Sequence, residues 1–169
     1  MRWLGLYLLL VSCASTPQPQ RPDYMVEAFG AYAQAMMCVE EETRPLAMGP
    51  AAFNVGTDCI SLDIPWLKAI ESRFGRSAAI GIVAHEVGHS VQLEHLGFVF
   101  MSDADEGIVE MIELEADRMA GCALARLKLT PKPMQSWLQA HETDDTTHGT
   151  LAERLEAIEA GWHACTDNE

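Results

Sequence analysis

The chain has 169 residues, enough for one domain with a reasonable core. Its 25 acidic against 11 basic residues give a formal net charge of −14. That balance excludes a basic nucleic-acid binder and any attachment to anionic lipid through a cationic patch. No internal repeat, glycine-rich phosphate loop or serine-nucleophile motif is present, so nucleotide binding and serine hydrolysis have no sequence support.

Met1-Arg2-Trp3 gives a short positive start, and Leu4 to Val11 is an apolar run too short for a bilayer-spanning anchor. It ends in Leu10-Val11-Ser12-Cys13, which resembles the bacterial lipobox. Residues 1–12 are therefore expected to be a signal peptide and Cys13 an acylated first residue. An ordinary secretory signal cleaved nearby is the alternative, and both readings export the protein. Ala14 after the cysteine favours the outer membrane, facing the periplasm. Residues 13–22, rich in Pro and Gln, read as a semi-extended tether, with the folded domain over 23–169. Membrane attachment would then come from acyl chains.

Export fits the cysteine count. With Cys13 set aside, Cys38, Cys59, Cys122 and Cys165 remain, an even number for an oxidising compartment. Three pairings are open, with Cys38–Cys59 and Cys122–Cys165 preferred. A cysteine-rich zinc site is the rival, and the lack of any Cys-x-x-Cys spacing argues against it.

Asp23 to about Glu41 carries helical periodicity, with Asp23 as N-cap. Pro45, Gly49 and Pro50 make a loop. Phe53-Asn54-Val55 and Cys59 to Asp63 hold the β signal, read as a hairpin through Gly56. Pro65 to Phe74 is a short helix ended by Gly75, and Ser77 is the expected cap of the next helix, which runs to about Leu96. A connection follows over 98–105, with Phe98 to Met101 as an apolar patch. A long helix spans Asp105 to Leu127, Thr130 to Pro133 stops it, and a short helix covers about Met134 to Ala140. Thr150-Leu151-Ala152-Glu153 has capping-box spacing, opening a last helix expected over Leu151 to Ala160 and ended by Gly161. The fold class is mainly α with a small β hairpin or sheet, an α+β domain.

The second long helix contains Ala84-His85-Glu86-Val87-Gly88-His89-Ser90-Val91-Gln92. Two histidines four apart project from one face and can chelate one zinc ion through neutral imidazoles. Glu86 is then placed to act as general base on a metal-activated water. Ile80, Ile82, Val83, Val87 and Val91 predict a buried helix, on which such polar groups need partners. Two residues compete as third ligand. His95 has the spacing of a His-Glu-x-x-His-x-x-Gly-x-x-His pattern, but Gln92 stands where that pattern needs its Gly. The continuing helix turns His95 away, to interact with the helix's own C-terminal end. Glu113 is preferred, with Glu110 in reserve. Asp117, one turn on from Glu113, can orient a ligand histidine through its second nitrogen.

With Glu113-Leu114-Glu115-Ala116-Asp117, Ala120-Gly121, Cys59 to Asp63, His148-Gly149-Thr150, Arg154 and Gly161, the chain resembles the neutral zinc metallopeptidases of bacteria over roughly residues 51 to 162. It departs from them at Ser90, where the family usually has His, and at Arg118, where it has Cys. The resemblance implies a zincin-like domain with one Zn2+ on His85, His89 and Glu113. It also places the His-Gly-Thr element among the family's features. His148, at the start of a helix, is the candidate donor to an oxyanion, and Arg154 a candidate partner of Asp117. The expected function is zinc-dependent hydrolysis of a protein or peptide substrate held along an edge strand, with no nucleic-acid partner. The alternative is a non-catalytic, zinc-containing envelope lipoprotein.

Overall fold

A computed structural model describes residues 49–54, 56, 59–97, 105–141 and 148–166, together with the backbone of 38–41. Three short strands, β1 (Cys38–Glu41), β2 (Ala51–Asn54) and β3 (Cys59–Leu62), precede five helices. These are α1 (Ile64–Phe74), α2 (Arg76–Leu96), α3 (Glu106–Arg126), α4 (Lys132–His141) and α5 (Leu151–Thr166). The described chain is mainly helical with one small sheet, as the sequence led us to expect.

The sheet has the order β1-β3-β2. β2 and β3 form the expected antiparallel hairpin, with Phe53 opposite Ile60 and Asn54 opposite Cys59. β1 corrects the expected first helix: Cys38–Glu41 runs as a strand parallel to β3, Cys38 opposite Cys59. Helical periodicity to Met37 does not oblige the next four residues to continue it, because a parallel partner supplies their backbone hydrogen bonds from outside the segment. Residues 23–37 of that expected helix lie outside the described residues.

Asp63 caps α1, its side chain accepting from the Trp66 amide at 2.9 Å, and Pro65 sits in the first turn, where its missing N–H is no loss. Gly75, at φ 103°, separates α1 from α2. It is the N-cap of α2, so the expected cap Ser77 is instead the second residue of the helix and is buried. α2 is apolar on nearly every side: Ala78, Ala79, Ile80, Val83, Ala84 and Val87 are almost fully buried against the sheet and helices α1, α3 and α4. α3 begins at Asp105, whose carboxylate accepts from the Ile108 amide at 3.0 Å.

The expected stop at Gly161 is not observed, and α5 continues to Thr166. Gly161 is required by a close approach instead, because a Cβ there would overlap the Arg118 carbonyl of α3. Gly121 on α3 meets the Ile158 carbonyl of α5 in the same way. The predicted capping box is present: Thr150 N–H donates to Glu153 Oε2 at 2.9 Å, and Glu153 N–H to Thr150 Oγ1 at 3.3 Å. Cys122–Cys165 joins α3 to α5 as expected. Cys59 is also disulfide-bonded, and the Cys38 side chain lies outside the described residues. No described helix is long and apolar enough to cross a membrane. Cys13, the tether and the Phe98 to Met101 patch lie outside the described residues.

Candidate metal centre

α2 and α3 pack antiparallel with Gly88 against Ala116, where a Cβ would have only 3.2 Å to the Ala116 Cα. That closeness brings His85 and His89 of α2 opposite Glu113 of α3. His85 Nε2 lies 3.2 Å from His89 Nε2 and 3.1 Å from Glu113 Oε2, and His89 Nε2 lies 3.3 Å from the same oxygen. Ligand bonds of ~2.0–2.1 Å in a tetrahedral site put neighbouring donors ~3.3–3.4 Å apart. The three atoms therefore fit three corners of such a site, and this group could hold a metal ion. It is the only group of this kind among the described residues.

Each histidine is fixed through its other nitrogen. His85 Nδ1 donates to Asp117 Oδ1 at 2.9 Å, so its Nε2 faces the group. Asp117, fully buried, also accepts twice from Arg154, at 2.6 Å from Nε and 3.0 Å from Nη2. Asp117 thus contacts His85, and Arg154 contacts Asp117, as the sequence led us to expect. His89 Nδ1 lies 2.9 Å from Gln92 Oε1, a contact the sequence reading missed. A buried polar residue one turn beyond a ligand was the available signal.

The electrostatics follow from this packing. Burial opposes charge on His85, but the Asp117 carboxylate, aided by a hydrogen bond to Glu113, raises its pKa from 6.5 to about 10. Burial likewise opposes ionisation of Asp117 and Glu113. For Asp117 the His85 and Arg154 cations win, and for Glu113 the hydrogen bond from His85 leads, so both carboxylates titrate below their ordinary range. The metal-free cluster is an interlocked set of buried ions, and a divalent cation would take the place of the proton on His85.

Glu86 is half-buried on the same helix and outside the ligand group. Its Oε2 accepts from the Phe53 amide of β2 at 2.6 Å. The Phe53 ring stacks on His89 with centroids 6.4 Å apart, so the hairpin forms one wall of the site. Because Phe53 N–H is used this way, its donor points away from β3, along the outer edge of β2. His148 is 40% exposed and its Nε2 lies 3.6 Å from Glu113 Oε2, at the rim of the cluster and not within it. His95 is exposed, with Nδ1 2.8 Å from the Val91 carbonyl one turn back, as expected of a last-turn residue. Glu110 is half-buried on α3 and outside the group. Arg118 pairs with Glu115 on the surface at 2.7 Å.

Fold and cluster together define a small, mainly helical domain with a buried two-histidine, one-glutamate site suited to a metal ion. The chain matches no protein-family profile, no curated protein and no solved structure.

Proposed function

We propose that the chain is a zinc-dependent endopeptidase with a zincin-like domain, held at the bacterial envelope by an acylated Cys13. The observation that carries this reading is the triangle of His85 Nε2, His89 Nε2 and Glu113 Oε2, with both histidines locked by their second nitrogens and a carboxylate beside them that is not a ligand. Three protein donors with a position left for substrate is the donor set of hydrolytic zinc sites, whereas structural sites use four. A bound zinc would polarise a scissile carbonyl and acidify water.

The chain's own groups do the rest. Glu86 takes a proton from the attacking water at its carboxylate and returns it to the leaving amine. Its hydrogen bond to Phe53 N–H holds that carboxylate at the wall formed by β2. The outer edge of β2 can pair with an extended backbone, which would recognise peptide without demanding a particular side chain. His148 at the rim can donate from its ring to a developing oxyanion. Asp117 and Arg154 orient His85 and take no part in proton movement.

The test is zinc content together with cleavage of a denatured protein, comparing the wild type with Glu86→Gln. One zinc per chain in both proteins, with cleavage only in the wild type, is expected. Zinc in both with cleavage in neither would leave a zinc-containing binding lipoprotein.

A further inference from the structure

We propose that Gln92 is a positioning residue for the metal centre, one side chain that orients His89 and holds the backbone of Glu113. The inference rests on the metal reading above and extends it to a residue outside the ligand set.

One contact of the Gln92 side chain can run in only one direction. Gln92 is 7% exposed, and one end of its amide lies 2.8 Å from the Ile112 carbonyl oxygen of α3. A carbonyl only accepts, so the NH2 end of the amide faces Ile112 and the oxygen end faces His89. That oxygen also only accepts, so His89 Nδ1, 2.9 Å away, must carry its hydrogen. A neutral imidazole has one ring proton. His89 therefore presents its Nε2 lone pair to the cluster, where that nitrogen lies 3.3 Å from Glu113 Oε2. The Ile112 carbonyl thus dictates, through the Gln92 amide, which nitrogen of His89 can bind a metal.

The other end of the bridge matters equally. The Ile112 carbonyl belongs to the peptide unit that also contains the Glu113 nitrogen. Gln92 therefore clamps α3 at the residue that supplies the third ligand, while Asp117 of α3 holds His85 of α2. The two ties run in opposite directions between the helices, and each histidine is oriented by an acceptor of its own. Gln92 also lines a groove of about 870 Å³ between α2 and α3, with Val91, Leu96, Met111 and Leu114 among its apolar walls and Glu110 and Arg118 among its polar ones. Removing the amide would leave the His89 Nδ1–H without its acceptor beside that groove and free the ring to change tautomer or rotate.

Zinc affinity measured by competition with a chelator tests this, on the wild type, Gln92→Met and Gln92→Glu. Met keeps length and volume without the amide, whereas Glu keeps an acceptor facing His89. Gln92→Met should weaken zinc binding ~10–100-fold, the usual effect of losing a partner that orients a ligand. Gln92→Glu should recover part of that loss. The cobalt-loaded Gln92→Met protein should also show shifted visible bands, which a change in stability alone would not produce. Wild-type affinity and spectrum in Gln92→Met would overturn the assignment. So would equal weakening in both variants with an unshifted cobalt spectrum, which would mark a packing role only. Wild-type protein that takes up no zinc would overturn the metal reading itself, and this inference with it.

Discussion

Asp117→Asn is the substitution for which the structure gives the most definite consequence. Asp117 is completely buried and receives three hydrogen bonds, one from His85 and two from Arg154. The amide is the same size, so packing is preserved and only charge and acceptor capacity change. In metal-free protein His85 can respond by giving up its proton, because Asp117 is what chiefly favours its charged form. Arg154 has no such route, since a guanidinium stays charged. It is left 6% exposed opposite an amide that turns an NH2 group towards one of its neighbours. Breaking a buried ion pair by removing one partner costs ~3–5 kcal/mol. At ~2–4 °C per kcal/mol for a chain of this size, the thermal midpoint should fall by ~6–20 °C. Circular dichroism melts in a chelator would measure it, with Arg154→Met and the double variant completing a cycle. The double variant should be less damaged than the sum of the two single ones, because removing both partners leaves no stranded charge. A loss below ~1 kcal/mol in Asp117→Asn, or strict additivity in the cycle, would refute the buried pair.

Gly161→Ala should destabilise by ~1–3 kcal/mol or more, because its Cβ meets the Arg118 carbonyl backbone, which cannot turn aside; a wild-type melt would contradict the close contact. In metal-free protein, the raised pKa of His85 adds stability that is complete below its ordinary 6.5 and disappears as pH climbs through about 10. The lowered pKa values of Asp117 and Glu113 add stability that is complete above their ordinary 3.8 and 4.5 and lost on acidification, so urea titrations should show a maximum between about pH 4.5 and 6.5. Zinc uptake near pH 7 should release a proton, measurable by calorimetry in buffers of different ionisation enthalpy. His148→Ala should lower turnover ~10²–10³-fold with zinc content unchanged, and loss of activity only together with unfolding would make it a structural residue. Cys13→Ser should move the protein out of the membrane fraction; unchanged fractionation would sink the lipid anchor.

The cluster of His85, His89 and Glu113 was legible because helix geometry does most of the work. His85 and His89 share a face by spacing alone, and so do Glu113 and Asp117. Once two buried helices carry complementary polar faces, little freedom remains in how they meet. Gln92 is harder to read, because in the sequence it stands out only as the residue where a helix-breaking glycine is absent, and nothing local names the partner of its amide. β1 escaped because Cys38–Glu41 has no alternation of its own and owes its conformation to β3, a partner about twenty residues away. Gly161 suggests its commonest local role, ending a helix, whereas its reason is the backbone of a neighbouring helix. Ser77 is a similar case: a good capping residue stands two positions past Gly75, which already serves as N-cap.

The packing of α5 on α3 has a mechanical consequence. Asp117 meets Arg154 and Gly121 meets Ile158, each pair 37 residues apart; Arg118 meets Gly161 and Cys122 is bonded to Cys165, each 43 apart. Partners advance together by four along both helices, so the helices run in the same direction and are keyed at four points in two rows. Sliding α5 by a single residue would shift Arg154 by ~1.5 Å along the axis, more than a 2.6 Å hydrogen bond tolerates. Two glycine seats and a covalent pin resist that slide, all of them on the C-terminal side of the ion pair. The alignment of His85 is thus guaranteed from a distance, by residues that never approach the His85–His89–Glu113 cluster and would otherwise pass for mere scaffolding.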